Sequence, residues 1–160
     1  MHESSPPASS EDVIDAVIGA SRALVAVAAR SLAGAADDVT LPQYRALVVL
    51  ASRGPQRALD LAAALAVNPS TATRMCDRLV RKQLVRRTRR AGDRRAVLVA
   101  ISPEGEQLVG EVTRRRRIEV RRILAKVPGP ERAGLVVALR TFASAAGEVP
   151  EQDWSLGWDQ

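Results

Sequence analysis

The pattern of apolar and polar residues predicts a mainly helical chain. Apolar residues recur at helical spacing in four stretches, at about 11–33, 41–53, 59–66 and 69–82. Ser9 or Ser10 can cap the first helix, and Thr40 begins a capping box before the second. We expect the side-chain oxygen of Asn68 to cap the fourth helix. The third and fourth helices are short and only a turn apart, which indicates a helix-turn-helix.

The spacing changes to that of strands after the fourth helix. The runs LVRRTRR (84–90) and AVLVAI (96–101) flank a turn-forming AGD sequence and so predict a β-hairpin. Ser102 then begins a long helix that extends to about residue 127. A last helix over about 131–146 places three apolar residues in one stripe, namely Leu135, Leu139 and Phe142.

The fourth helix separates its residues into an apolar side and a polar side. Arg74, Arg78 and Arg81 follow one another on the polar side at positions i, i+4 and i+7. Guanidinium groups suit both guanine edges and phosphates. The first turn adds short hydroxyl side chains that allow close approach to a phosphate or a base, from Ser70, Thr71 and Thr73. This face therefore predicts a DNA-reading helix.

The hairpin offers a second contact with DNA. Its turn is flanked by four arginines and one acid, namely Arg89, Arg90, Asp93, Arg94 and Arg95. If the helix lies in a major groove, the hairpin tip can reach the adjoining minor groove, where A·T-rich stretches concentrate negative potential. The alternative is a solvated strand edge that charge protects from aggregation. Helix and hairpin together favour the winged-helix arrangement.

The distribution of charge agrees with a localised surface for a polyanion. Between Arg53 and Arg95 the chain has 12 Lys and Arg residues against three acidic residues, a net charge of +9, within a total of +6. The rest of the chain is therefore slightly acidic. This segregation is typical of a nucleic-acid-binding segment, whereas a general coding preference for arginine would explain only the total.

The scarcity of reactive residues argues against an enzyme. The chain has one cysteine, Cys76, and one histidine, His2, which leaves no disulfide, no metal site, no cofactor site and no nucleophile with a base. Cys76 lies on the apolar side of the fourth helix, so we favour core packing over oxidant sensing. The acidic N-terminus and the charges that interrupt the apolar runs indicate neither secretion nor a membrane span, so we expect a cytoplasmic protein.

Three longer stretches resemble the MarR family of bacterial transcriptional regulators. They are LPQYRALVVL, GPQRALDLAAALAVNPSTATRMCDRLVRKQLVRR and GDRRAVLVAISPEGEQL. The resemblance implies a winged helix-turn-helix lobe over 41–101 and a dimerisation lobe built from 11–36 and 102–146, between a disordered tail (1–10) and a second tail (147–160). It places five residues on recognition-helix positions and three on the wing, namely Ser70, Thr71, Thr73, Arg74, Arg78, and Asp93, Arg94, Arg95.

One position departs from the family pattern. Gln83 stands where relatives usually have glycine after the recognition helix, a place that favours left-handed backbone. We expect Gln83 either to be strained there or to end the helix differently. The fold should be unaffected.

The resemblance and the chain's own surface together predict a homodimer on a palindromic operator. The terminal helices have more apolar surface than the DNA-binding lobe needs, and a twofold dimer reads two half-sites about one DNA turn apart. The family also implies release by a small anionic or aromatic effector. Tyr44 and Arg45 are candidates to line its cleft; the alternatives are a phosphate contact for Arg45 and a core position for Tyr44. We therefore interpret the protein as a repressor of this kind. The alternatives are a nonspecific architectural DNA-binding protein and a winged-helix module that binds RNA or an acidic protein.

Two further features leave alternatives open. The arginines at 114–117 either touch DNA or form a solvated helix face with Glu111 and Glu119, which we favour. Trp154 and Trp158 either cover a dimer seam or lie free in the tail.

Overall fold

The computed structural model describes residues 9–154 except 91 and 92, and of residues 90 and 93–96 it describes the backbone alone. The elements are α1 (Ser10–Ala33), α2 (Leu41–Arg53), α3 (Ala58–Leu65), α4 (Pro69–Arg81), β1 (Val85–Arg90), β2 (Asp93–Ile101), α5 (Pro103–Leu124), α6 (Gly129–Ala145) and a short 3-10 helix (Glu151–Asp153). The predicted fold class, helices with one small hairpin, is confirmed.

Local hydrogen bonds begin three of the long helices where the sequence predicted. The Ser9 hydroxyl oxygen accepts the Asp12 N–H at 3.2 Å, and the Asp12 carboxylate accepts the Ser9 N–H at 3.0 Å. Thr40 forms the predicted capping box at the start of α2. At the start of α5, the Ser102 hydroxyl oxygen accepts the Gly105 N–H at 3.0 Å. Each cap satisfies a backbone N–H that has no partner within the helix.

The predicted side-chain cap at Asn68 is wrong. Asn68 is the N-cap of α4, but its side chain makes no capping hydrogen bond. Its backbone carbonyl accepts the N–H groups of Thr71 at 2.9 Å and Ala72 at 3.1 Å. The Thr71 N–H, which an N-cap side chain often takes, is therefore already occupied.

The ends of the helices differ from the prediction by three residues or fewer. Helix α3 is shifted toward the N-terminus by one residue, and Ala66 then turns into left-handed backbone with a φ of 53°. Helix α5 ends at Leu124, because the next N–H groups, from Lys126 and Val127, bond three residues back in tighter turns. Helix α6 begins at Gly129 rather than at about residue 131.

The hairpin is held to the helices by a short bridge that the sequence did not predict. β1 and β2 pair antiparallel, with an irregularity between Arg89 and Arg90. Gln56, in the loop after α2, exchanges two backbone hydrogen bonds with Val99 at 2.7 and 2.9 Å. The bridge fixes the base of the hairpin beside α2.

The turn after α4 adopts the left-handed backbone that is usual at this position in the family. Gln83 has a φ of 60°, in the left-handed region. The N–H of Gln83 bonds the carbonyl of Val80, and the N–H of Leu84 bonds the carbonyl of Leu79, which is a Schellman motif. Gln83 therefore takes the geometry usually given to glycine and keeps a side chain there.

Helix α5 begins in close contact with this turn. The Ser102 hydroxyl donates to the Gln83 carbonyl at 2.6 Å. A Cβ atom added at Gly105 would lie 2.2 Å from the Leu84 carbonyl oxygen, so only glycine permits this approach. The contact fixes the position of α4 relative to the long helix.

The core lies within the predicted DNA-binding lobe and its junction with α5. Its largest fully buried side chains include Leu47, Leu50, Leu61, Leu79 and Val109. The N-terminal half of α1 and all of α6 contribute no fully buried residue. The predicted stripe on α6 is accordingly uncovered in the single chain, with Leu139 and Phe142 exposed.

Candidate nucleic-acid interface and adjoining cleft

Helix α4 presents the polar face that its sequence predicted. Ala72, Met75, Cys76 and Leu79 are buried on its inner side. The outer side is exposed at five of the predicted contact residues, Ser70, Thr73, Arg74, Arg78 and Arg81, and half-buried at Thr71. The structure therefore brings all six predicted helix residues onto the accessible part of one helix.

Within the part of the chain that the structure describes, the three arginines of this face, Arg74, Arg78 and Arg81, form no ion pair. The one acid of the helix, Asp77, instead pairs with Arg87 of β1. The outer face consequently keeps its positive charge, which is what a phosphate or a guanine edge requires.

A shallow depression lies beside this face at the start of α2. It has a volume of about 350 Å³ and is lined from α4 by Thr71, Arg74 and Arg78, and from the α2 start by Thr40 and Gln43. The second helix thus supports the N-terminal part of α4 and adds polar groups next to it. The two helices of the helix-turn-helix itself are α3 and α4, which pack against each other.

The predicted wing residues are placed only in part. Arg89 is exposed on β1. Arg90, Asp93, Arg94 and Arg95 have side chains outside the described residues, so their predicted contacts with DNA stay predictions. The first strand of the hairpin, β1, packs next to α4, and the ion pair between Asp77 and Arg87 joins the two elements.

A second feature, here called the cleft, lies between α2, α5 and the C-terminal segment. Its volume is about 820 Å³. Tyr44 and Arg45, the two residues predicted for an effector, both line it. The remaining lining combines charged and apolar side chains: Val48, Thr113, Arg116, Arg117, Val120, Arg121, Leu124, Ala125, Arg132, Glu148, Glu151 and Trp154.

Tyr44 forms the floor of the cleft. It is buried, and the guanidinium of Arg116 lies 5.6 Å from the centre of its ring. This distance is that of a cation–π contact. Burial raises the pKa of the Tyr44 hydroxyl, so the phenol stays neutral and can donate a hydrogen bond.

The arginines at 114–117 do not share one role. Arg114 and Arg115 pair with Glu111 at 2.7 and 2.6 Å, as the solvated-face prediction required. Glu119 pairs instead with Arg30 of α1. The prediction is wrong for Arg116, which lies over the Tyr44 ring. Arg116 is rotated by about 100° around the helix axis from Arg115, and this direction faces the cleft.

Sequence reasoning also missed most of the cleft. Its charged lining comes from α2, α5, α6 and the segment after α6, which are distant in sequence. The one available signal was the pair Glu148 and Glu151, three residues apart in a tail that was predicted only to be polar. Trp154 contacts the edge of the core, whereas Trp158 lies outside the described residues.

Cys76 is a core residue by its position. Its exposed fraction is 1%, and it belongs to the main hydrophobic cluster. Burial raises the pKa of its thiol. A buried thiol with a raised pKa is a poor nucleophile, which supports packing over oxidant sensing.

No group of three or more His, Cys, Asp or Glu residues within the described part of the chain could hold a metal ion. Across the same residues, no helix is long and apolar enough to cross a membrane.

Known proteins resemble this chain in sequence and in fold. A family model described as the MarR family matches residues 39–97. The crystal structure of RV1404 from Mycobacterium tuberculosis is 43% identical, with a TM-score of 0.83, and the match covers 90% of this chain and 99% of that one. The transcriptional repressor MdtR of Bacillus subtilis is 29% identical over 76% of this chain and 78% of its own.

A third relative is named for regulation by a small molecule. The structure of Bordetella bronchiseptica BpsR, described as regulated in DNA binding by 6-hydroxynicotinic acid, has a TM-score of 0.61 and 25% identity over 87% of this chain and 98% of that one. Two curated Bacillus subtilis regulators align over only 47% and 54% of their length, so this chain spans about half of each.

The names of the relatives bear on the predicted class of protein. Curated relatives are HTH-type transcriptional regulators, which confirms the prediction of a regulator rather than an enzyme. The matched region begins just before α2 and ends within β2, so it contains α4 and most of the hairpin. The chain belongs to the MarR family of winged-helix transcriptional regulators.

Proposed function

We propose that the protein is a sequence-specific regulator that binds double-stranded DNA through α4, here called the recognition helix. The observation that carries this proposal is the exposed row of Arg74, Arg78 and Arg81, which has no ion-pair partner among the described residues. The hydroxyl-bearing first turn allows close approach to bases. A nonspecific binder would need only the charge.

The wing completes the proposed interface. We assign phosphate or minor-groove contacts to Arg89, Arg90, Arg94 and Arg95, with Asp93 shaping the tip. Arg89 is exposed on β1, beside the recognition helix.

A regulator of this kind acts in the cytoplasm, where the chromosome of a bacterium lies.

The active form is proposed to be a homodimer. Large apolar side chains are uncovered on the terminal helices, for example Val25 of α1 at 58%, Val137 of α6 at 66% and Phe142 at 54% exposure. Such surface is typical of an interface between subunits. A second copy of the chain would cover it and place two recognition helices on one face of DNA, about 34–36 Å apart.

Light scattering tests the dimer. We expect the mass of two chains at micromolar concentration. Leu139→Asp, on the uncovered stripe of α6, should shift the mass toward one chain. Leu59→Asp is the matched control, because Leu59 is also exposed but lies on α3 in the DNA-binding lobe. A single-chain mass for the unaltered protein would overturn the dimer.

The proposed regulatory role is repression by occupying a palindromic operator. MdtR, 29% identical, is named a repressor. A competition gel shift tests specificity: a genomic fragment that the protein binds is challenged with excess random DNA at near-physiological salt. A sequence-specific regulator stays bound to its genomic fragment in the presence of random DNA. If random DNA displaces the fragment as well as the fragment itself would, an architectural protein is favoured. If the protein binds no DNA, RNA or an acidic protein remains as the partner.

The cleft is proposed to bind a small anionic effector. Tyr44 and Arg45 line it, and it lies where the DNA-binding lobe meets α5. An effector changes DNA affinity only if it binds the DNA-competent and DNA-incompetent dimers with different affinity. The naming of BpsR for regulation by 6-hydroxynicotinic acid supports the class of ligand.

A further inference from the structure

The segment 147–154, here called the C-terminal strap, supplies the negative charge of the cleft. Glu148 forms an ion pair with Arg45. The Oε2 atom of Glu148 accepts a hydrogen bond from Nη1 of Arg45 at 3.0 Å, and the Oε1 atom accepts a second one from Nη2. Glu151 pairs with Arg117 at 3.0 Å. The strap thus places two carboxylates on two guanidinium groups of the cleft.

The strap is held in place by groups at both of its ends. The Arg53 guanidinium donates to the Gly147 carbonyl at 3.3 Å. The Trp154 indole N–H donates to the Val149 carbonyl at 3.0 Å, and its ring packs against the edge of the core. The carboxylates are therefore presented by an ordered turn of the chain.

The cleft has more positive charge than the strap neutralises. Five arginines line it, namely Arg45, Arg116, Arg117, Arg121 and Arg132, and its two acids both belong to the strap. The Nε atom of Arg116 is buried and has no hydrogen-bond partner among the described residues. The strap therefore leaves the charge of Arg116 uncompensated by a carboxylate.

The strap contacts are weak enough to be exchanged. The paired side chains are between 39% and 65% exposed. Ion pairs this exposed contribute little to stability, because water screens them. A ligand with carboxylates of its own can therefore take the same guanidinium groups. The same cleft is also lined by apolar side chains, Val48, Val120 and Leu124, that suit an apolar body.

We propose that the C-terminal strap is an internal competitor for the effector cleft, and that the effector is a dianion whose two acidic groups flank an apolar body. This rests on the proposed effector function of the cleft. The ligand replaces Glu148 on Arg45 and Glu151 on Arg117, and the strap leaves the cleft as the ligand enters. The strap thereby sets the concentration at which the effector acts.

Calorimetric titration of the full chain with defined probes tests the proposal. Succinate, adipate and suberate are titrated singly at constant ionic strength, and octanoate serves as the monocarboxylate matched in length to suberate. The best dicarboxylate should bind Glu148→Gln/Glu151→Gln about tenfold more tightly than the unaltered protein, because two weak ion pairs no longer compete. The affinity for octanoate should rise by a smaller factor in this variant.

The matched control is Glu104→Gln/Glu106→Gln, which changes the net charge equally but lies at the other end of α5. Its affinity for every probe should be unchanged. An equal gain in this control, an equal gain for octanoate, an unchanged or weaker affinity in the strap variant, or no dicarboxylate binding would each overturn the proposal.

Two additional readouts separate this proposal from the others. With Trp158→Phe, Trp154 is the one tryptophan of the chain, and its emission should shift when the dicarboxylate displaces the strap; a constant emission at saturation would contradict displacement. A gel shift on the same variants tests DNA binding independently. Retained DNA binding without dicarboxylate binding would remove the strap proposal alone, whereas lost DNA binding in the unaltered protein would remove the proposed function.

Discussion

Arg87 of β1 forms an ion pair with Asp77 of α4, and the contact joins the hairpin to the recognition helix. Asp77 lies three residues after Arg74 and four before Arg81, so its carboxylate could pair with either. By holding Asp77, Arg87 keeps both arginines available to DNA. The ion pair itself is half-exposed and contributes little to the free energy of unfolding.

The first prediction concerns this contact. Arg87→Ala should lower operator affinity about tenfold, because the released carboxylate neutralises a neighbouring arginine of the recognition helix. Asp77→Asn should then raise affinity more in the Arg87→Ala background than in the unaltered protein. Quantitative gel shifts of the four combinations measure the coupling. The same effect of Asp77→Asn in both backgrounds would disprove it.

The second prediction concerns base reading. Arg74→Ala should weaken operator binding by about 1–3 kcal/mol and relax the preference at one position of each half-site, since a bidentate contact with a base carries that discrimination. Lys126→Ala is the control for charge, because Lys126 lies in the turn between α5 and α6. Equal losses in the two variants would mean that Arg74 contributes charge alone.

The third prediction concerns the turn after α4. Gln83→Gly should raise the free energy of unfolding by about 1 kcal/mol, since a Cβ atom in left-handed backbone is unfavourable and glycine avoids it. For a chain of this size the melting temperature should rise by about 2–4 °C. Melting curves at one fixed protein concentration provide the measurement. A lower melting temperature would show that the Gln83 side chain stabilises the turn.

The fourth prediction concerns Cys76. Because burial raises the pKa of its thiol, alkylation by iodoacetamide at neutral pH should be at least about tenfold slower than in the unfolded chain. Mass spectrometry of timed samples measures the rate. Rapid modification of the folded protein, with accompanying loss of DNA binding, would restore the oxidant-sensing alternative.

Much of the fold followed from local signals. The caps at Thr40 and Ser102, and the amphipathic face of α4, depend on residues within a few positions of one another. The Asn68 cap failed although its residue type is favoured, because the backbone carbonyl took the N–H group that the side chain would have used. The preference of asparagine for the N-cap position does not tell whether its side-chain oxygen or its backbone carbonyl accepts the hydrogen bond.

The contacts between distant segments could not be predicted in this way. The bridge of Gln56 to Val99 joins single residues that show no pattern. The cleft is lined by side chains from four segments that are distant in sequence. Arg116 faces it only because of the way α5 packs against α2, which places the guanidinium over the Tyr44 ring. The apolar stripe on α6 and the excess of apolar surface on the terminal helices were both predicted, but which of these side chains a single chain leaves exposed was not.

Selection of bound fragments from randomised DNA, with the purified full chain at near-physiological salt, tests the central claim most directly. An operator-reading homodimer predicts enrichment of a palindrome whose half-sites are one helical turn apart. Binding without an enriched motif would contradict sequence-specific regulation by the recognition helix.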